Sequence, residues 1–337
     1  MSKVVYLMGA GASYGKRDKN QKIVITEGIP VVNEINNELK ILLSELEIYI
    51  KTHQFNREVG NNLNRLYDNF NLLYNESSRH LTIDTYAKKI FLQDDMVQFD
   101  RLKDIISSFF MIMQLKYPID KRYDAFLANI LSYPYKKIPE DITILTWNYD
   151  SQFEIAYRAF NLTENPTPSY WRGIRKRLGI KDVYDNNLDQ GKIFKLNGTA
   201  IFDYFDSFSL LGEECGEGYE GVFPELAKVN REFNPKNHLH FAWETDVDSS
   251  YLKEVYKHIH DAETLVVIGY TFPYFNRAID RAIFDNLLLL KNIYIQDPYA
   301  ERVVQNIKPV LSDRIINSNV KIIPLTDVDQ FYLPREL

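Results

Sequence analysis

Short, mostly apolar runs that end in glycine or polar turns are the feature of this sequence that most restricts its fold. The first run, residues 4–8 (VVYLM), leads directly into 9–13 (GAGAS), and similar runs occur at 142–145, 193–196 and 265–268. Continuous apolar strands of this length are typical of a parallel sheet that is buried on both faces. Most of the runs are followed by a turn and by helix-period sequence. We therefore predict an α/β fold with a doubly wound, mostly parallel sheet.

Two further runs and a long helical stretch complete the predicted organisation. Residues 293–295 predict another strand, and residues 320–323 predict a strand at the edge of the sheet. Between the first two apolar runs, hydrophobic residues recur at spacings of three and four, which is typical of amphipathic helices. We therefore predict a sheet domain made of 1–33 and 139–337, with a helical insertion at 34–138 packed against it.

Composition excludes several classes of protein. The 337 residues carry 46 acidic and 40 basic side chains, a net charge of −6, so we do not expect direct binding of nucleic acid. The basic segment 171–177 is interpreted as a solvated helix face. No apolar run has the roughly 20 residues of a membrane-spanning helix, and the first strand begins without a secretory signal. We expect a soluble, cytoplasmic protein without a membrane partner. The single cysteine, Cys215, excludes a disulfide framework and a zinc site of several thiolates.

Glycine and polar residues gather at the points where the predicted strands end. In an open α/β sheet, ligands bind beyond the carboxyl ends of the strands. Glycines at 9–13 would let the backbone approach a diphosphate, which free N–H groups at the start of a following helix would attract. The third glycine of the dehydrogenase fingerprint is missing, because Tyr14 occupies its place. The pattern therefore favours a dinucleotide site but disfavours a dehydrogenase.

Five segments, in their order and approximate spacing, resemble the Sir2-like family, in particular the bacterial Sir2-like NAD hydrolases of anti-phage defence. They are 9–13 (GAGAS), 28–30 (GIP), 146–150 (TWNYD), 195–198 (KLNG) and 269–271 (GYT), and they frame almost the whole chain. The resemblance implies a Rossmann-like sheet and an enzyme that cleaves NAD to ADP-ribose and nicotinamide. It also implies a homo-oligomer or a sensor or regulatory protein partner, because uncontrolled loss of NAD would kill the host cell.

The resemblance implies a role for each matching residue. Asn148 would bind the nicotinamide ribose or orient the attacking water, and Asp150 would contact the carboxamide. Asn197 occupies the position of the family's catalytic histidine. The residues expected to bind NAD are Gly9, Ala10, Gly11, Ser13, Gly28, Ile29, Pro30, Thr146, Gly269, Tyr270, Thr271 and Asp297. Residues 148–150 also fit the start of a helix with Asp150 as its N-cap, and the two roles can coexist.

Two departures from the family pattern limit what the resemblance implies. An amide cannot accept a proton at neutral pH, so Asn197 cannot act as a general base. Hydrolysis would then depend on positioning alone or on another group, or the protein would bind NAD without cleaving it. The deacylase branch carries a four-cysteine zinc ribbon, which one cysteine cannot form, so we expect neither zinc nor lysine deacylation. The histidines at 238, 240, 258 and 260 are interpreted as surface or core residues rather than metal ligands.

Two hypotheses of function remain open. The leading one is an NAD glycohydrolase, acting in defence with a partner. The alternative is a binding module that holds NAD or ADP-ribose as a structural or sensing ligand within a complex, which the amide at position 197 favours.

Overall fold

Strands and helices alternate along the chain. The computed structural model describes residues 3–18, 24–160, 168–185, 187–202, 218–229 and 237–337. Within them the strands are β1 (Lys3–Met8), β2 (Lys16–Asp18), β3 (Val24–Glu27), β4 (Ile142–Thr146), β5 (Ile180–Asp182), β6 (Ile193–Lys195), β7 (Gly198–Phe202), β8 (Asn237–Leu239), β9 (Ala262–Ile268), β10 (Asn292–Gln296) and β11 (Lys321–Leu325). The α-helices are α1 (Ile35–Thr52), α2 (Arg57–Arg79), α3 (Ile83–Leu92), α4 (Met96–Lys116), α5 (Lys121–Ile130), α6 (Gln152–Arg158), α7 (Pro168–Leu178), α8 (Phe223–Val229), α9 (Ser250–Ile259), α10 (Arg277–Asn286), α11 (Ala300–Ile307) and α12 (Asp313–Ile316).

A seven-stranded parallel sheet organises the described residues, in the order β11-β10-β9-β1-β4-β6-β5. From β1 the chain passes through α1 to α5 and returns to β4 on one side of β1. From β9, the neighbour of β1 on the other side, it continues outward to β10 and β11. The direction of the connections therefore reverses between β1 and β9. In open α/β sheets, such a switch point opens a crevice at the carboxyl ends of the two strands.

The two faces of β1 belong to two different cores, which explains why its apolar run is continuous. Val4, Tyr6 and Met8 pack with residues of α1 to α5, while Val5 and Leu7 pack on the opposite face with residues of α9, α10 and α11. All five side chains are at most 1% exposed. Successive residues of a strand point to opposite faces, so burial of both faces requires apolar residues at every position. The helical segment 34–138 thus shares one core with the sheet.

The predicted α/β class and parallel sheet are confirmed, and the run at 320–323 corresponds to the edge strand β11. The pattern missed β5, whose three residues are Ile-Lys-Asp, and the hairpins β2–β3 and β7–β8. β2, β3 and β5 are short and contain charged side chains, and β7 begins with Gly198 and Thr199, so these strands lack the apolar run on which the prediction depends. Among the described residues, no helix is both long and apolar enough to cross a bilayer.

Candidate functional site

The glycine turns that follow β1 and β9 pack directly against each other. Gly9 N donates to Ile268 O at 3.0 Å, and Gly11 N donates to Gly269 O at 2.9 Å. A Cβ at position 11 would lie 2.7 Å from the Cα of Gly269, so neither turn has room for a side chain. The sequence predicts free N–H groups at the start of a helix here. Instead, a single 3-10 turn (Ala10–Ser13) follows β1, and the N–H groups of Gly9 and Gly11 are already paired.

Asn148 lies against this turn and is hydrogen-bonded to Ser13, near Asp150. The Asn148 amide nitrogen donates to Gly9 O and to Ser13 Oγ, both at 3.0 Å. Ser13 Oγ also lies 2.8 Å from the Tyr123 hydroxyl, and Ser13 acts to lower the pKa of the nearby Asp150 carboxyl. Asn148, Asp150 and Ser13 are 8%, 6% and 2% exposed. The structure therefore brings together three residues that the sequence places at two different strand ends.

The segment after β4 holds these side chains in place. Asn148 N donates to Thr146 Oγ1 at 3.1 Å, which fixes the turn as the chain leaves the strand. Asp150 Oδ1 accepts from Gln152 N at 3.1 Å, at the first residue of α6, where Ser151 is the N-cap residue. The predicted N-cap is therefore displaced by one residue, from Asp150 to Ser151, although the Asp150 carboxylate still accepts from the first N–H of the helix. Contact of Asp150 with a carboxamide stays a prediction.

A chain of buried charges lies behind Asp150. The Lys195 ammonium donates to the Asp150 carbonyl oxygen and lies 3.9 Å from Glu154 Oε2. Arg175 continues the chain, 3.5 Å from Glu154 Oε1 and 2.9 Å from Asp182 Oδ2. Burial raises the pKa of Asp150, and the positive charge of Lys195 acts in the opposite direction by favouring the carboxylate. Lys195 is only 1% exposed, although a lysine at the end of an apolar strand is normally exposed to solvent. The resemblance of the segment 195–198 to the family gives this lysine no role, so its part in the charge chain required the structure.

Asn197 lies between the loop after β4 and the hairpin β7–β8. Its amide nitrogen donates to Trp147 O at 3.1 Å, and its backbone oxygen accepts from His240 N at 2.8 Å. Asn197 is 7% exposed, yet its Oδ1 has no hydrogen-bond partner within the described part of the chain. Gly198 adopts φ of +68°, and a Cβ there would lie 1.9 Å from His238 O, so the hairpin closes tightly against this position. A buried polar atom without a partner calls for a ligand or water.

The segment 28–30 supports the glycine turn from behind. Ile29 N donates to Ser13 O at 2.7 Å, and Gly28 N donates to Pro118 O at 2.8 Å. Gly28 adopts φ of +87°, a left-handed conformation that favours glycine. Gly28, Ile29 and Pro30 are all buried. Their described contacts therefore hold Ser13 in position.

Tyr270 fills the space beside Gly9. Its ring would lie 2.6 Å from a Cβ at position 9 and stacks on Trp147, with centroids 6.1 Å apart. Its hydroxyl lies 2.8 Å from Asp280 Oδ2 and accepts from Asn276 Nδ2 at 3.0 Å. Burial raises the pKa of Asp280 to about 8. Tyr270 thus belongs to a buried polar cluster at the switch point.

The two remaining predicted residues lie farther along the same edge of the sheet. Thr271 is exposed, and its carbonyl oxygen accepts from Asn306. Asp297 follows β10, two strands from β1, and therefore lies about 10 Å along the edge from the glycine turn. Its Oδ1 accepts from Tyr299 N at 2.8 Å, so it stabilises the turn into α11. Of the two, only Thr271 follows a strand that borders the switch point.

The helical segment contributes a carboxylate to this region. Asp84, in the first turn of α3, acts electrostatically on the half-buried Tyr149, as does Glu244. Burial raises the pKa of Asp84 to about 6. The Tyr149 ring packs against Phe110 and Phe241, with centroids 5.5 and 6.5 Å apart. One ionisable group of the helical segment, Asp84, therefore acts on the strand end that carries Asn148.

Two cavities of about 280 and 410 Å³ lie at the opposite, amino edge of the sheet, and each has several basic residues in its polar lining. Helices α7 and α9 end there, and helix carboxyl ends carry partial negative charge that basic residues offset. Two lining lysines are already paired, Lys3 with Asp261 and Lys192 with Glu140. The basic lining thus has a structural explanation, and the carboxyl edge is the better candidate for a ligand site.

No group of three or more histidine, cysteine, aspartate or glutamate side chains in the described part of the chain could hold a metal ion. Comparison with protein-family models, with curated protein sequences and with solved structures finds no match to this chain. The similarity to the Sir2-like family therefore depends on the five sequence segments and remains a prediction.

Proposed function

We propose that the carboxyl edge of the sheet binds NAD and hydrolyses it to ADP-ribose and nicotinamide. The observation that carries the proposal is the cluster at the switch point. There the Asn148 amide bonds both Gly9 and Ser13, beside the buried carboxylate of Asp150. Carboxyl-edge switch points are where open α/β sheets bind nucleotides, and the five Sir2-like segments supply the choice of NAD.

The chemistry suits this set of side chains. Nicotinamide leaves as a neutral base from a cationic ring, so its departure needs no proton. The protein must stabilise an oxocarbenium-like ribose and hold a water in position. Both N–H groups of the Asn148 amide donate within the protein, so Asn148 can accept from ribose hydroxyls or water through its amide oxygen. Asp150 can favour the developing positive charge. Lys195 supports this role by favouring the ionised form of Asp150.

By the same resemblance, we propose that the enzyme depletes NAD in anti-phage defence and is restrained by a partner protein or within an oligomer. The alternative is a protein that binds NAD or ADP-ribose without cleaving it. Two observations favour the alternative. Asn197 cannot take a proton, and the N–H groups of Gly9 and Gly11 are already paired within the protein.

The test is chromatography of NAD after incubation with the purified protein, with calorimetry of ADP-ribose binding in parallel. We expect release of nicotinamide by the native chain and at least about a 100-fold loss in Asn148→Ala, as when one positioned donor is removed from an active site. Asn69→Ala is the matched control, because it removes another buried amide, one that accepts from Arg101 in the helical segment. Binding heat without nicotinamide would support the alternative. Absence of both would refute both proposals.

A further inference from the structure

Hydrolysis at this edge needs a proton acceptor, and His240, which follows β8 and bonds the backbone of Asn197, can supply one. The backbone N–H of His240 donates to Asn197 O at 2.8 Å, so the two residues are joined by one hydrogen bond across the hairpin. Asn197 in turn holds Trp147 O, one residue before Asn148. His240 is thus connected through two hydrogen bonds to the strand end that carries the proposed site.

The His240 ring is held at one nitrogen and unpaired at the other. Its Nε2 lies 2.6 Å from Thr245 Oγ1. Its Nδ1 is buried and has no hydrogen-bond partner among the described residues, since Glu244 Oε1 is 3.9 Å away. That oxygen already accepts from Phe241 N at 2.8 Å, and Lys103 bonds the other oxygen of Glu244 at 2.5 Å. When Nε2 donates to Thr245, the Nδ1 lone pair is available as an acceptor.

The charges around His240 keep its ring neutral. Burial and the positive charge of Lys103, on α4, lower the pKa of His240 to about 4, and Asp182, at the end of β5, acts in the opposite direction. Glu244 is the other charged side chain near the ring. A neutral imidazole has a lone pair free to accept a proton at pH 7, and because the lowered pKa makes it a weak base, the ring passes that proton on to solvent readily.

We infer that His240 accepts the proton of the attacking water in the hydrolysis of NAD, a role that rests on the proposed function. The water oxygen forms a bond to C1′ of the nicotinamide ribose. The bond from C1′ to the nicotinamide nitrogen breaks, and its electron pair neutralises the ring as nicotinamide leaves. One water proton passes to His240 Nδ1 and then to solvent, so the products are ADP-ribose, nicotinamide and one proton. The unpaired Oδ1 of Asn197 is left to orient the same water.

The test compares His240→Ala and His240→Gln with His260→Ala, the loss of an exposed histidine at the end of α9. Glutamine at position 240 keeps most of the side-chain volume but cannot take a proton, which guards against a result caused by misfolding. We expect both position-240 variants to lower kcat about 100-fold or more. Their affinity for ADP-ribose, measured by calorimetry, should change less than about threefold, and His260→Ala should behave as the native protein does.

Rescue by added imidazole separates proton transfer from a structural role. Imidazole should restore part of the activity of His240→Ala and none of that of Asn148→Ala. Two results would overturn the role of His240 and leave the proposed function standing. One is turnover in His240→Ala at the native rate. The other is a loss of both kcat and ADP-ribose binding that imidazole does not rescue. A native protein that releases no nicotinamide would refute the proposed function and this role together.

Discussion

Replacing Lys195 by methionine tests whether the chain of buried charges behind Asp150 depends on this ammonium. Methionine keeps the length of the side chain but removes the charge that bonds the Asp150 carbonyl oxygen and faces Glu154. Lys195 is 1% exposed, so its loss leaves two carboxylates, those of Asp150 and Glu154, with less compensation in a dry environment. Removing one partner from a buried ionic group typically costs about 3–5 kcal/mol. We expect the free energy of unfolding to fall by that amount at neutral pH.

Lys192→Met is the matched control, just before the same strand. Lys192 pairs at 2.7 Å with Glu140, whose side chain is 97% exposed, and such a pair contributes only about 0–1 kcal/mol. Equilibrium unfolding in urea, followed by tryptophan fluorescence, measures both variants. A cost for Lys195→Met within about 1 kcal/mol of the control would refute the reasoning.

The pH dependence of the same variant gives a second measurement. Without Lys195, burial raises the pKa of Asp150 further above its value in the unfolded chain, because the opposing positive charge is gone. The folded variant then holds a proton that the unfolded chain releases, so the destabilisation grows as pH rises and shrinks as pH falls. Unfolding at about pH 5 and about pH 8 should show a smaller gap from the native protein at the lower pH. An equal gap at both would contradict the electrostatic explanation.

Other predictions concern the polar cluster at the switch point and the turn behind Ser13. Burial raises the pKa of Asp280 from the ordinary 3.8 to about 8, so this carboxyl keeps its proton in the folded protein. The stability that the protonated carboxyl contributes is present at low pH and is lost as the pH rises towards 8. This difference in pKa lowers the free energy of unfolding by about 4 kcal/mol at pH 7. Asp280→Asn removes the titrating group, so we expect it to be more stable than the native protein at pH 7 by about 1–3 kcal/mol, once the cost of any unpaired amide group is subtracted. Urea unfolding should show a flatter pH profile for this variant. An unchanged slope would contradict this assignment. Gly28→Ala should lower Tm, because its Cβ would lie 2.5 Å from Ser13 O at φ of +87°, whereas Gly60→Ala, with open space in α2, should gain about 0.5–1 kcal/mol. Equal Tm values for the two glycine variants would refute the steric argument.

The central sheet could be predicted because its strands carry their own signal. β1, β4 and β9 are buried on both faces, so the sequence shows them as unbroken apolar runs. β5 and the hairpin β7–β8 have no such signal, since their burial comes from the elements packed over them. The helical segment was recognisable because α1 and α2 each present one apolar face at helical spacing.

Part of the candidate site was accessible from the sequence and part was not. Asn148 follows one predicted strand, and the turn at Gly9 and Ser13 follows another. Parallel strands of one sheet end at the same edge, so the sequence predicts that these residues lie on that edge together. The pairing of Gly11 with Gly269, and of His240 with Asn197, joins residues far apart in the chain through loops and a hairpin. No local periodicity reports such contacts, so the paired N–H groups and the histidine beside Asn197 required the structure.

The single core shared by β1 and helices α1 to α5 limits how any regulator could act on this protein. Detaching that helical layer would uncover Tyr6 and Met8 together with a whole apolar face of the sheet, and a protein of this size has too little spare stability to tolerate that loss. If a partner acts on the proposed site, it would therefore have to leave this helical layer in place. By the same reasoning, a chain that lacks 34–138 would expose the apolar face of the sheet, and we expect it to aggregate rather than fold as a smaller domain.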